Sequence, residues 1–182
     1  MILAITGASG ALLAIEFLKL MQENGIEIHA MISDAGRKVM ELEEGTVFDE
    51  IKSLAHSWHH VHDFTAPMAS GSARFDGMIV LPCSMGTLAA IANGFSGNLI
   101  HRAADVTLKE RRPLLLAVRE TPFNRTHLQN MLKVHDAGAT ICPPLPSFYH
   151  KPESLREMAR IFGGRLADLL GIEVEGQPRW GQ

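Results

Sequence analysis

Short apolar runs recur along the chain, and each is followed by a turn of small or polar residues and then by a stretch with helical periodicity. The purest run is Leu114–Val118 (LLLAV), which contains no polar residue. A strand of that kind is covered on both faces. Similar runs occupy residues 2–6, 27–32, 77–82 and 139–142 and predict four further buried strands. Between them, helices are predicted over 11–24, ended by Gly25, and over 35–44. Further helices are predicted over 87–92, over 102–112 closed by Pro113, over 126–137 ended by Gly138, and over 154–170. Residues 46–64 carry no periodicity from which an element can be read.

Strands alternating with helices in this way give a parallel sheet with helices on both faces. The predicted fold is therefore α/β, a Rossmann-like (flavodoxin-like) doubly wound sheet in three layers. Polar side chains gather just after the strands: Ser9, Ser33, Ser84, Thr87, Arg119, Glu120 and Tyr149. In open α/β sheets ligands bind beyond the carboxyl ends of the strands, so this clustering points to a ligand site.

The 182 residues suit one domain, 1–182, with a substantial core. A formal net charge of −3 offers no basic field for nucleic acid or for an acidic membrane surface. The apolar start, MILAITGASG, is too short to span a bilayer and has no basic head of a signal peptide. Cys83 and Cys142 form no CxxC pair and read as free thiols in a reducing compartment. The expectation is a soluble, cytoplasmic protein with no nucleic-acid and no membrane partner. His56, His59, His60 and His62 crowd one short segment, but no carboxylate or cysteine stands at a convincing ligand spacing. A polar surface segment is the expectation there, and no metal.

The turns carry the candidate chemistry. Gly7 and Gly10 permit a tight turn, Ser9 is placed to cap the first helix, and the bare amides there form an anion site. The GxxG alone is a weak signal, shared with any capped βα turn. Ser33 suits a phosphate or a flavin edge. Asp34 suits an NAD ribose or equally a first helical turn. Ser84 opens a second strand-to-helix turn with exposed amides and hydroxyls. The small residues of 66–72 let a phosphate or a flat ring approach the backbone. Arg102 and Lys109 lie seven residues apart on one helix face. Tyr149, the only tyrosine, follows the stiff Pro143, Pro144, Pro146 run. Trp180 lies beyond the last helix and is read as docking on this chain or on a neighbouring subunit.

GASGA at 7–11, ASGS at 69–72, LPCSMGTL at 81–88, RAADVTLKERRPLLLAVRETP at 102–122 and PPLPSFYHKPESL at 143–155 together resemble the flavin prenyltransferase family. These UbiX-like enzymes belong to the homo-oligomeric flavin-containing Cys decarboxylase superfamily. The resemblance spans nearly the whole chain and is weakest over 46–61, and Phe64 stands where some members carry a tryptophan. It implies FMN held by Gly7, Ala8, Ser9, Ser33, Ser84, Met85, Gly86, Thr87 and Arg119. It implies dimethylallyl phosphate held by Lys109, Tyr149 and Arg165, with Ser70 and Ser72 nearby. Glu120, Lys109, Arg102 and Ser9 take the catalytic roles, with Arg102 and Lys109 arriving from a neighbouring subunit. A metal-independent dodecamer is implied, as is a downstream UbiD-type decarboxylase of the ubiquinone pathway type that uses the prenylated FMN. Phe64 or Trp180 would then wall the pocket in which an allylic cation develops.

Rival readings are a flavin-dependent decarboxylase of cysteine-containing peptides or of phosphopantothenoylcysteine, a non-catalytic FMN-binding regulatory subunit, and a direct decarboxylase of aromatic acids. The PxMN motif of the cysteine decarboxylases is absent.

Overall fold

Alternation along β1 (Ile2–Ile5) decides how the sheet is covered. Leu3 and Ile5 join one buried apolar cluster, and Ile2 and Ala4 join another. In β5 (Leu114–Val118), whose bounds match the predicted run, Leu115 and Ala117 face the first cluster and Leu114, Leu116 and Val118 the second. Side chains along a strand point alternately to opposite faces, so both faces of this sheet are dry. The computed structural model describes every residue except Thr46, Val47, Pro178, Trp180 and Gln182. Trp180, named above as a pocket wall, therefore lies outside the described residues.

The remaining strands are β2 (His29–Ile32), β3 (Ser57–His59), β4 (Met78–Cys83) and β6 (Thr140–Ile141). All six pair in parallel in the order β3-β2-β1-β4-β5-β6. The doubly wound, Rossmann-like (flavodoxin-like) sheet is as predicted, with the short β3 added at one edge. Helices α1 (Ala11–Glu23), α2 (Asp34–Glu44) and α7 (Leu155–Leu169) carry side chains of the first cluster; α4 (Met85–Ala92), α5 (Leu99–Lys109) and α6 (Arg125–Asp136) carry those of the second. A four-residue helix, α3 (Phe48–Ile51), lies before β3.

Side-chain caps define most helix starts. Ser33 accepts from the Gly36 amide at 3.0 Å, Ser84 from Thr87, Asn98 from His101, Asn124 from His127 and Ser154 from Glu157. The Asn98 cap moves the start of α5 ahead of the predicted residue 102 and buries Leu99 and Ile100. The helix stops at Lys109, short of Arg112, because Arg111 turns into the left-handed region at φ 56°. Among the described residues no helix is long and apolar enough to cross a membrane.

Candidate functional site

The strand order reverses between β1 and β4, which opens a crevice at their carboxyl ends. Thr6, buried just after β1, ties the two strands together. Its Oγ1 donates to the Pro82 carbonyl at 2.7 Å and accepts from the Ser84 amide at 2.9 Å. The turns carrying Ser9 and Ser84 are thereby held side by side. On the far side of β4, the Arg119 amide donates to the Cys83 carbonyl at 3.1 Å and places Arg119 and Glu120 beyond the end of β5.

Ser9 does not cap α1. The cap position falls on Gly10, left-handed at φ 117°, with no side-chain cap bond. The amides of Gly10 and Ala11 are not bare either: both donate to Glu43 Oε2, each at 2.9 Å. The Ser9 side chain also favours the charged form of Glu43, on α2. Partial burial pushes the Glu43 carboxyl up, but the bonds from Ser9, Ala11 and Gly10, with the Arg119 charge nearby, outweigh it and hold the carboxyl below its ordinary value. The site expected to await an external anion is thus filled by an internal carboxylate. Glu43 was not legible in the sequence, since it stands among several glutamates on an amphipathic helix.

Close backbone approach explains Gly7. A Cβ on Gly7 would overlap the Ala35 Cβ, so the first turn and the start of α2 touch only because Gly7 is bare. Ser33, half-buried, sits at that same meeting point, with its amide on the Ile5 carbonyl at 3.0 Å. In the second turn the Ser84 hydroxyl lies 3.1 Å from Thr87 Oγ1. Gly86 is exposed and a Cβ there would meet nothing within 4 Å. Met85 and Gly86 supply the first amides of α4, ahead of the intrahelical ladder.

Tyr149 and Arg165 line one cleft of about 510 Å³ together with Leu13, Cys142, Pro144 and Phe162. Leu13 joins this cleft to the Ser9 turn, since its Cδ1 would lie 3.0 Å from a Cβ on Gly10. Arg179 also borders the cleft and is held by a bidentate pair with Asp168, at 2.8 and 3.2 Å.

Arg102, Lys109, Ser70 and Ser72 form a separate group. Arg102 Nε donates to the Ala69 carbonyl at 3.1 Å, and Arg112 clasps the Gly71 and Ala73 carbonyls at 2.9 and 2.8 Å. The Lys109 ammonium, paired with Glu110, occupies the space a Cβ on Gly71 would need. Ser70 and Ser72 hydroxyls bond each other at 2.9 Å. Within one chain this group is not in the Tyr149–Arg165 cleft, because α5 packs on the opposite sheet face from α7. Arg119 and Glu120 are exposed, and the Glu120 carboxylate accepts from the Thr121 amide at 2.9 Å. Phe64 is exposed as well. Complete burial pushes the Cys83 thiol up to about 12, which keeps it a packing residue and no nucleophile.

Residues 1–160 match the family described as Flavoprotein. Flavin prenyltransferase UbiX of Methanocaldococcus jannaschii is 45% identical over 180 residues, 99% of this chain and 97% of that protein. A crystal structure of AnUbiX (PadA1) in complex with FMN and dimethylallyl pyrophosphate is 44% identical; the superposition covers 100% of this chain and 96% of that one, with a TM-score of 0.96. A dodecameric FMN-dependent UbiX-like decarboxylase from Escherichia coli O157:H7 is 39% identical, with complete coverage of both chains and a TM-score of 0.93.

Proposed function

This chain belongs to the flavin prenyltransferase family, and on that premise we propose that it joins the dimethylallyl group of dimethylallyl phosphate to N5 and C6 of reduced FMN. Reduced FMN is the acceptor substrate and supplies the nucleophilic positions; the prenyl C–O bond breaks and the phosphate departs with its electron pair. Everything else falls to the protein.

The residues present suit FMN. Gly86 leaves an open approach to the backbone at the α4 start, flanked by the Ser84 and Thr87 hydroxyls. Gly7, Ala8, Ser9 and Ser33 line the neighbouring turns, and Met85 and Arg119 complete the FMN set. Glu43, by holding the Gly10 and Ala11 amides, fixes the turn that carries Ser9 and acts as a positioning residue. Tyr149, Arg165 and Lys109 hold the donor phosphate and offset the charge it gains on leaving. Glu120 accepts the proton released as the second bond, from the prenyl chain to flavin C6, forms. Leu13, Pro144 and Phe162 keep water from the prenyl carbons.

The observation that carries this reading is the convergence of Tyr149 and Arg165 in one cleft that Leu13 joins to the Ser9–Glu43 turn. Arg102 and Lys109, with Ser70 and Ser72 on the loop they hold, reach that cleft from a second copy of the chain. The dodecameric relative supports such an assembly. The product serves a UbiD-type decarboxylase, and both the reduced flavin and the free thiols Cys83 and Cys142 suit the cytoplasm.

The test is phosphate release. Purified protein given dimethylallyl phosphate should liberate phosphate only when reduced FMN is supplied, in proportion to flavin consumed. Release of carbon dioxide from an aromatic acid by the protein alone, without phosphate release from the donor, would assign it to direct decarboxylation instead.

A further inference from the structure

We propose that Glu27, His29 and His56 form a binding site for a divalent transition metal ion of the zinc class, at the end of the sheet opposite the flavin crevice. One ligand atom from each residue lies within 4.8 Å of the other two. The His56 Nδ1 to Glu27 Oε1 separation is 3.8 Å, and the His29 and His56 rings lie 5.2 Å apart. A tetrahedral ion with bonds of about 2.1 Å holds its ligands about 3.4 Å apart, so a small side-chain adjustment closes the site. Two imidazoles and one carboxylate are a zinc-type ligand set that leaves the fourth position to water.

The supporting partner is also present. Ser57 Oγ lies 2.9 Å from His29 Nδ1 and 3.0 Å from His59 Nε2; by accepting from the Nδ1–H of His29 and donating to His59 it would hold the ring with Nε2 free to bind the ion. The scaffold is rigid. His29 begins β2, Ser57 begins β3, and the two are register partners across the sheet. Glu27 lies two residues before β2 and His56 immediately before β3. The Glu27 carbonyl is held by the chain's own amino group at 2.8 Å. The parallel pairing thus brings together groups separated widely in sequence. His60 and His62, which crowd the same segment, pair with each other instead. A bound ion would tie the edge strand β3 to β2 and take no part in prenyl transfer.

The site is tested with untagged, chelator-stripped protein titrated with zinc against a chromophoric zinc indicator. Wild type should take up one zinc per chain. His56→Ala and His29→Ala should lose that uptake, and Ser57→Ala should bind about 10–100-fold more weakly. A His60→Ala/His62→Ala variant should bind as wild type. The side chain of His56 is about half exposed at 52%, so His56→Ala should fold, with oligomer size and FMN binding as checks. Absence of stoichiometric uptake by wild type, retention of it by His56→Ala, or its loss in the His60→Ala/His62→Ala variant would each overturn the assignment.

Discussion

Gly10 and Glu43 are joined at the turn after β1: the Gly10 amide donates to Glu43 Oε2 at 2.9 Å, and the Ala11 amide donates to the same oxygen at 2.9 Å. Glu43 therefore ties α2 to the start of α1 and fixes the turn that carries Ser9.

Glu43→Gln should destabilise the fold by about 1–2 kcal/mol at neutral pH, the usual scale for losing charge-assisted hydrogen bonds. A carboxyl whose folded pKa is depressed contributes stability above its unfolded pKa and loses it as pH falls through the folded value. The gap between wild type and Glu43→Gln should accordingly narrow on acidification. Urea denaturation of both proteins from neutral pH downward checks this; a gap that widens in acid contradicts it.

Gly7→Ala and Gly86→Ala should separate packing from binding. The added methyl on Gly7 overlaps Ala35, so that variant should lose roughly 1–3 kcal/mol of stability. The methyl on Gly86 meets nothing, so stability should hold while FMN affinity falls. Thermal unfolding and flavin fluorescence titration of each variant decide the matter. Unchanged FMN affinity in Gly86→Ala would remove that backbone from the flavin site.

Several of these positions were legible in sequence for a definite reason. Leu114–Val118 is covered on both faces, so its composition alone marks a strand, and residues that follow such strands are where a parallel sheet binds ligands. Ser33 and Ser84 were legible as caps because capping is local chemistry. The edge strand β3 was not: Ser57, Trp58 and His59 are all half-buried and show no alternation. Glu43 and the His29–His56 pair were hidden for a different reason. Each acquires its meaning from an element distant in sequence, and no local pattern announces such a meeting.

Lys109→Ala and Tyr149→Phe should each slow turnover by about 10²–10³-fold, the scale for losing one group that stabilises developing charge. Tyr149→Phe should leave FMN affinity intact. If Lys109 serves a neighbouring chain, oligomers assembled from a mixture of the two variants should recover activity, because some sites then hold one intact lysine and one intact tyrosine. Assaying the mixture after co-refolding or co-expression checks it; no recovery would confine both residues to one chain.

Arg179→Ala should free the segment after α7 from Asp168. As an exposed pair its loss should change stability by less than about 1 kcal/mol. Because Arg179 borders the cleft, the KM for the prenyl donor should rise while FMN affinity stays constant. Steady-state kinetics against donor concentration measures this, and an unchanged KM would detach the segment from the substrate site.

The most direct measurement is the mass of the flavin after anaerobic incubation of the protein with reduced FMN and dimethylallyl phosphate, with the diphosphate as a parallel donor. FMN heavier by one five-carbon prenyl unit should form with wild type and be absent with Glu120→Gln. Flavin recovered at its original mass from folded, FMN-loaded protein supplied with either donor would contradict prenyl transfer.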